Sequence, residues 1–245
     1  MLREKMNIIS LGEVNSTNLY AKQNLDCLED KTVICAVAQT SGRGRFNRTW
    51  VDLGEGNLFM TIVLKPSNIF EDIYANITQY LSVVLCKLFK EYGLESSIKW
   101  PNDVLIKGKK ISGILSETVM QGNTFKGLVL GVGVNLNAKP EDLSLVKDKK
   151  ITALNIELGQ CYADKNLFME KLLNEFFAHY DEFLKHGFSY IKDDYVCACN
   201  FLGKEISVQV FNDKKSGTAE YINDAGELVL KQKDREFVLT MGDIL

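Results

Sequence analysis

The chain is predicted to be α+β: a mixed β-sheet with helices packed on it, followed by a small all-β domain. Three observations predict this. Apolar, β-branched runs at 32–38 and 58–64 have the length and composition of buried strands. Two longer stretches, 73–92 and 166–186, repeat apolar residues at three- and four-residue steps, the period of an amphipathic helix. After about residue 200 the texture changes to short alternating stretches separated by turn residues, as in a small β-barrel or meander. A boundary is therefore expected near 190–203, with one domain over 1–195 and a second over 200–245.

Taken in order, residues 7–10 suggest a first strand, and Ser16, Thr17 and Asn18 offer candidate caps for a helix carrying Leu19, Ala21 and Leu25. The strand at 32–38 leads directly into Gln39, and the strand at 58–64 is closed by Pro66. In the helix at 73–92, Ile73, Ile77, Leu81, Val84, Leu85 and Leu88 form one apolar face that ends near Gly93. Residues 97–100 and 103–106 read as a strand interrupted by Pro101. Residues 111–119 and 125–136 read as a hairpin around Gln121, Gly122 and Asn123. Leu172, Phe176, Tyr180 and Phe183 share one side of the helix at 166–186.

With 245 residues, 46% hydrophobic and 25% charged, the chain has the composition of a globular protein able to bury a sizeable core. A formal net charge of −3 argues against bulk electrostatic binding to nucleic acid. The charged opening residues are not followed by a long apolar segment, so neither a signal peptide nor a membrane span is expected. Six scattered cysteines, at 27, 35, 86, 161, 197 and 199, read as reduced and mostly core residues of a cytoplasmic protein. Cys197 and Cys199 form a pair, but with only two histidines no zinc spacing appears, and no metal site is expected. His179 and His186 read as surface residues of the late helix.

The chemistry concentrates in residues 42–50, where three arginines fall within nine positions. Gly42 and Gly44 are expected to reach positive φ and approach a ligand closely. Arg43, Arg45 and Arg48 offer planar donor forks suited to carboxylate and phosphate oxygens, and Trp50 adds an aromatic face. The same residues also suit a solvated basic turn. Lys99, before Trp100 and Pro101, can neutralise an acyl or phosphoryl oxygen, or lie along an apolar surface with its head in water. Glu117, taken alone, reads as a solvated strand residue. Gly131 and Gly133 lack the third glycine of a dinucleotide fingerprint, since Leu136 stands there, and read as tight-turn glycines. Residues 122–129 have Walker glycine spacing but Leu128 in place of the lysine. No Ser-His-Asp, Cys-His or paired-carboxylate set assembles, so the expected catalysis is electrostatic, with cations bringing two anionic reactants together.

Taken together these stretches resemble the biotin–protein ligase family. The resemblance is carried by Ser16-Thr17-Asn18, by Gln39 ahead of Gly42-Arg43-Gly44-Arg45, and by Arg48-Thr49-Trp50. It continues through Lys99-Trp100-Pro101-Asn102-Asp103, the strand from Lys110 to Leu115 with Glu117, and Gly131-Val132-Gly133-Val134-Asn135. It covers almost the whole chain and implies a class II synthetase-like catalytic domain plus an SH3-like β-barrel over 200–245. It implies ATP-dependent activation of biotin as biotinyl-5′-AMP, then transfer to a lysine of a biotin carboxyl carrier protein domain of a carboxylase.

Under that resemblance Lys99, Arg45 and Arg48 are catalytic. Ser16, Thr17, Asn18, Gln39, Arg43, Gly44, Arg45 and Lys99 bind biotin. Arg43, Arg48, Trp50, Asn102 and Asn135 bind ATP, and Mg²⁺ arrives with the nucleotide. The implied protein is a cytoplasmic monomer or homodimer with no DNA or membrane partner; starting almost at the catalytic domain, it is not expected to act as a repressor. Members commonly carry Arg-Gly where this chain has Phe46 and Asn47, which predicts a stiffer loop with activity retained. Rival readings are a lipoate ligase or octanoyl transferase, a nucleic-acid binder using the basic loop, and a biotin-binding module without catalysis, which would have no need of Lys99.

Overall fold

A computed structural model describes residues 6–65, 74–147, 149–159 and 161–245; Pro66, Ile73 and the side chain of Asn47 lie outside the described residues. The chain divides into two compact units, residues 1–69 with 109–169, and residues 70–108 with 170–245.

In the first unit, strand β1 (Ile8–Val14) runs through helix α1 (Thr17–Gln23) into β2 (Val33–Gln39), which lies parallel to it. Strands β3 (Leu58–Leu64), β6 (Lys109–Gln121) and β7 (Thr124–Val134) add antiparallel ladders in the order β1-β2-β3-β7-β6, so the sheet is mixed, as expected. Every residue of β3 is buried, which its run of large apolar side chains, broken once by Thr61, predicts for a central strand. Ala21, Leu25, Leu28, Ile34, Val63 and Val129 form a core between α1 and the sheet. A smaller cluster of Leu53, Ala138 and Ala153 packs beside helix α3 (Leu154–Glu157).

The second unit corrects several expectations. Residues 96–106 are not one interrupted strand: β4 (Ser96–Lys99) and β5 (Asp103–Ile106) form an antiparallel hairpin that reverses at residues 100–102. Pro101 has no N–H for a ladder, so the chain turns there. Helix α2 (Ile77–Glu91) buries far more than one face, with Gln79, Tyr80, Ser82 and Val83 covered as well as the predicted stripe. It holds polar side chains in the interior by satisfying them; Ser82 donates back to the Thr78 carbonyl. The Tyr80 ring stacks on Phe183 of α4 (Lys165–His186) at 4.5 Å, and its hydroxyl donates to the Phe176 carbonyl. Burial first, then the negative charges around it, pushes the Tyr80 hydroxyl pKa upward.

Helix α5 (Lys192–Ala198) precedes the C-terminal strands β8 (Glu205–Val210), β9 (Asp213–Ile222), β10 (Leu228–Gln232), β11 (Arg235–Leu239) and β12 (Asp243–Ile244). They form an antiparallel sheet in the order β11-β10-β9-β8-β12. Among the described residues no ladder joins β11 to β12, so the expected barrel is an open sheet. The cysteines are also not core residues in the main: Cys27, Cys161 and Cys197 are exposed and only Cys199 is buried. Among the described residues no helix is long and apolar enough to cross a membrane.

Candidate functional site

The end of β1 and the start of α1 deliver Ser16, Thr17 and Asn18 to the sheet, all three buried. Ser16 occupies the N-cap position, with extended backbone, but its side chain makes no capping bond to the helix. Thr17 offers both its backbone N–H (2.8 Å) and its hydroxyl (3.2 Å) to Gln39 Oε1. The Thr61 hydroxyl, from the middle of β3, donates to Asn18 Oδ1 at 2.7 Å and lies 2.8 Å from the Thr17 hydroxyl. Asn18 Nδ2 donates to the Leu115 carbonyl (3.2 Å) and to Glu117 Oε2 (3.0 Å). Lys22, one turn further along α1, donates to Glu117 Oε1 at 2.8 Å. Burial raises the Glu117 pKa, but hydrogen bonds from Lys22 and Asn18 and the charges of Lys22 and Arg43 outweigh it, so the group titrates below its ordinary value. The Gln39 N–H is taken by Asp52 Oδ2 at 3.0 Å, which fixes the chain where it enters the arginine loop.

That loop closes on itself. Arg43 bridges Thr49, the Gly44 N–H donates to the Arg48 carbonyl (2.8 Å), and the Trp50 N–H donates to the Gly42 carbonyl (2.9 Å). Neither glycine uses positive φ, contrary to expectation. Gly42 is needed for close approach, because a Cβ there would stand 2.6 Å from the Trp50 carbonyl oxygen. The left-handed residue is Phe46, at φ 52° and ψ 40°, with the Arg45 guanidinium 4.9 Å from its ring centroid. Arg43, Arg45, Arg48, Leu115 and Glu117 line a cavity of about 520 Å³.

Gly131 and Gly133 are not turn glycines but interior residues of β7. Gly133 pairs with Gly113 of β6, and the Trp50 ring rests on both; a Cβ at Gly133 would lie 2.5 Å from Trp50 Cε2, and one at Gly113 would lie 2.8 Å from Cζ3. A Cβ at Gly131 would stand 2.2 Å from Asn18 Oδ1. Two positions of one strand thus clear space for two different side chains.

Trp50 Nε1 is a buried donor with no hydrogen-bond partner among the described residues, and the Lys110 ammonium lies 5.4 Å from the ring centroid. Arg48, Trp50, Lys110, Asn135 and Lys149 line a second cavity of about 80 Å³. Asn135 is buried and donates through Nδ2 to the Thr152 carbonyl at 3.0 Å.

Lys99 and Asn102 belong to the second unit. Lys99 ends β4, in register with Asp103, and Asn102 is buried in the following turn. In the first unit the structure therefore joins Thr17, Asn18 and Gln39 in one network. It puts Arg43, Gly44, Arg45 and Arg48 around one cavity, and Arg48, Trp50 and Asn135 around another. Residue patterns did not reveal Thr61, Asp52 or Lys22, and Lys110 stood only as the start of a strand with no role of its own. A lone hydroxyl in the apolar run of β3 was the available signal for Thr61; Lys22 had its four-residue spacing from Asn18. Glu117, which alone read as solvated, is half of the Asn18 anchor.

The chain resembles known proteins throughout its length. It is 29% identical over 228 residues to the biotin–[acetyl-CoA-carboxylase] ligase of Paracoccus denitrificans, covering 90% of this chain and 92% of that one. It is 29% identical over 204 residues to the bifunctional ligase/repressor BirA of Bacillus subtilis, and the match takes in 83% of this chain but 62% of that relative's length. The biotin protein ligase from Aquifex aeolicus, solved in complex with biotin and ATP, superposes with a TM-score of 0.82 at 26% identity, covering 98% of this chain and 97% of that one. The sequence pattern of the biotin/lipoate A/B protein ligase family matches residues 11–135, half of the chain and the part that carries the Thr17 network, the arginine loop and the glycine strand, and the protein belongs to that family.

Proposed function

We propose that the protein is an ATP-dependent biotin–protein ligase. It joins the biotin carboxylate to the α-phosphorus of ATP, forming biotinyl-5′-AMP as the bond to pyrophosphate breaks. A lysine amine of a biotin carboxyl carrier protein domain then attacks the acyl carbon, AMP leaves, and the amine gives up its proton. The reading is supported most directly by one shared side chain. Arg48 lines both the arginine cavity and the Trp50 cavity, so one guanidinium can serve an acyl group in the first and a nucleotide in the second.

Ser16, Thr17, Asn18 and Gln39 hold the polar ureido end of biotin in this reading, on groups already positioned by Thr61, Asp52 and Glu117. Arg43, Gly44 and Arg45 close over carboxylate and phosphate, where guanidinium forks suit both anions. Lys99 binds the acyl-phosphate oxygens and stabilises their developing charge. Trp50 walls the nucleotide, its Nε1–H available to an acceptor, and Asn102 and Asn135 contribute amide groups to ATP. Among the described residues the Trp50 cavity is lined by cations, an amide and apolar side chains and by no carboxylate, which fits Mg²⁺ carried by phosphate oxygens better than a protein cage. Bound there, Mg²⁺ would offset phosphate charge. Residues 1–195 form the catalytic domain and 200–245 the SH3-like domain of this reading. The protein works in the cytoplasm as a monomer or homodimer.

The test is biotin-dependent ATP–pyrophosphate exchange, with lipoate and octanoate in parallel. Exchange with biotin alone is expected. Exchange with lipoate instead would move the substrate within the family. No exchange from folded protein with Mg²⁺ would leave a binding module as the better account.

A further inference from the structure

The turn between β9 and β10 is built around Asn223, whose Oδ1 accepts from the N–H groups of Ala225 (3.0 Å) and Glu227 (2.9 Å). The Gly226 N–H closes the turn onto the Asn223 carbonyl at 3.0 Å. Its two outward carbonyls are then gripped by buried amides of the same unit. Asn76 Nδ2 donates to the Ala225 carbonyl at 2.9 Å, and Gln79 Nε2 donates to the Gly226 carbonyl at 2.8 Å. Gly226 has φ +78°, and a Cβ on it would meet Asn76 Nδ2 at 2.4 Å and Gln79 Oε1 at 2.6 Å. Only glycine fits this position.

The Gly226 carbonyl accepts a second bond, from Trp100 Nε1 at 3.2 Å. Trp100 is buried and follows Lys99 directly. The Pro101 carbonyl is held from α5 by the Tyr195 hydroxyl at 3.0 Å, and Ser97 receives Asn200 Nδ2 at 3.2 Å. A four-residue strand ending in a lysine has little ladder of its own to set the direction of that lysine. Here the next side chain, Trp100, is tied to the C-terminal turn, and the Pro101 carbonyl to α5.

We propose that Trp100 is a positioning residue for Lys99, held in place by the Gly226 carbonyl, so that the 223–226 turn of the C-terminal sheet sets where the lysine ammonium lies. The proposal rests on the assignment of Lys99 as the charge-stabilising lysine. A single neutral hydrogen bond contributes little to global stability. A catalytic group displaced by an ångström loses about a hundredfold in rate. Trp100→Phe, which keeps an aromatic ring and removes the N–H, therefore separates the two effects.

The experiment measures adenylate synthesis and thermal unfolding in the full chain for Trp100→Phe, Lys99→Ala and the double variant. Trp100→Phe is expected to lower kcat roughly 10- to 100-fold, with KM for biotin nearly unchanged and the unfolding transition close to that of the parent. In the Lys99→Ala background it is expected to cost nothing further. If Lys99→Ala retains full synthesis, the role of Lys99 falls and the positioning role with it. If Lys99→Ala suppresses synthesis while Trp100→Phe keeps kcat, only the positioning role falls. Equal losses in both backgrounds would make Trp100 independent of Lys99 and overturn the proposal. Should Trp100→Phe fail to fold, Gln79→Met removes the other donor to the Gly226 carbonyl, and the same three measurements decide.

Discussion

Around Thr17 and Asn18 the polar groups are buried and hydrogen-bonded to one another, whereas between Gly42 and Trp50 the backbone is closed but Arg43 and Arg48 lie exposed. The difference matches what each region is proposed to hold. A neutral polar group is recognised by directional bonds, which gain from being dry and fixed beforehand. An anion is held by charge, and a guanidinium on a flexible stem can reach it from solvent. The interlocked region should therefore be intolerant of small changes, and the loop more forgiving.

The sharpest way to break this comparison is to add one methyl group on β7. Gly131→Ala forces a Cβ into Asn18, and Gly133→Ala forces one into Trp50. Overpacking costs about 1–3 kcal/mol, roughly 5- to 150-fold in affinity. Calorimetry is expected to show Gly131→Ala weakening biotin, and Gly133→Ala weakening ATP while leaving biotin nearly unchanged. If both variants lose the same ligand, the strand does not serve two regions.

Thr61→Val keeps the shape of the residue and strips Asn18 Oδ1 of its donor. An unsatisfied buried acceptor costs about 1–3 kcal/mol. Biotin affinity is expected to fall roughly 10-fold, with the ATP dissociation constant unmoved. Equal weakening of both ligands would place Thr61 in the general core.

Glu117 allows a pH test. Its folded pKa lies below its ordinary value of 4.5, so the unfolded chain binds the proton more readily. The stability it contributes is fully present above 4.5 and is lost as pH falls through the lowered folded value. The Lys22–Glu117 pair is partly exposed, with side-chain exposures of 30% and 22%, so solvent screening reduces its worth to about 1 kcal/mol. Urea melts are expected to show Glu117→Gln less stable than the parent at pH 7 and the gap closing below 4.5. A constant gap down to acid pH would mean the carboxylate charge is not what anchors Asn18 and Lys22.

The smallest effect is expected in the loop. Phe46→Gly relieves a left-handed conformation that costs a bulky residue about 1–2 kcal/mol, but it adds freedom to the unfolded chain and removes the ring under Arg45. Stability should change by less than about 1 kcal/mol, while release of the adenylate quickens. Release at the parent rate would show that Phe46 does not stiffen the lid.

Much of this protein was legible one residue at a time. The strand at Leu58–Leu64, the helix at Lys165–His186 and the hairpin of β6 and β7 follow from apolar period and turn residues within a short window. The cluster of arginines beside Trp50 was visible for the same reason. The reversal at Pro101 was missed because two short apolar runs look alike whether the chain continues or turns back. Helix α2 showed one apolar stripe, yet Gln79 and Ser82 are buried because their partners in the folded chain satisfy them. Gly131 and Gly133 resembled turn residues because glycine alone does not tell a turn from a place where another side chain must pass.

The sequence by itself determined which segments become strands and helices and where positive charge gathers, because those properties are written in neighbours a few residues apart. Tertiary structure alone decided that Asn18 meets Leu115 and Glu117, that Trp50 lies on Gly113 and Gly133, and that Trp100 reaches Gly226. Such contacts join residues 63 to 126 positions apart. They depend on ladder register and on the direction in which each side chain leaves its strand, and neither exists until the sheet has formed.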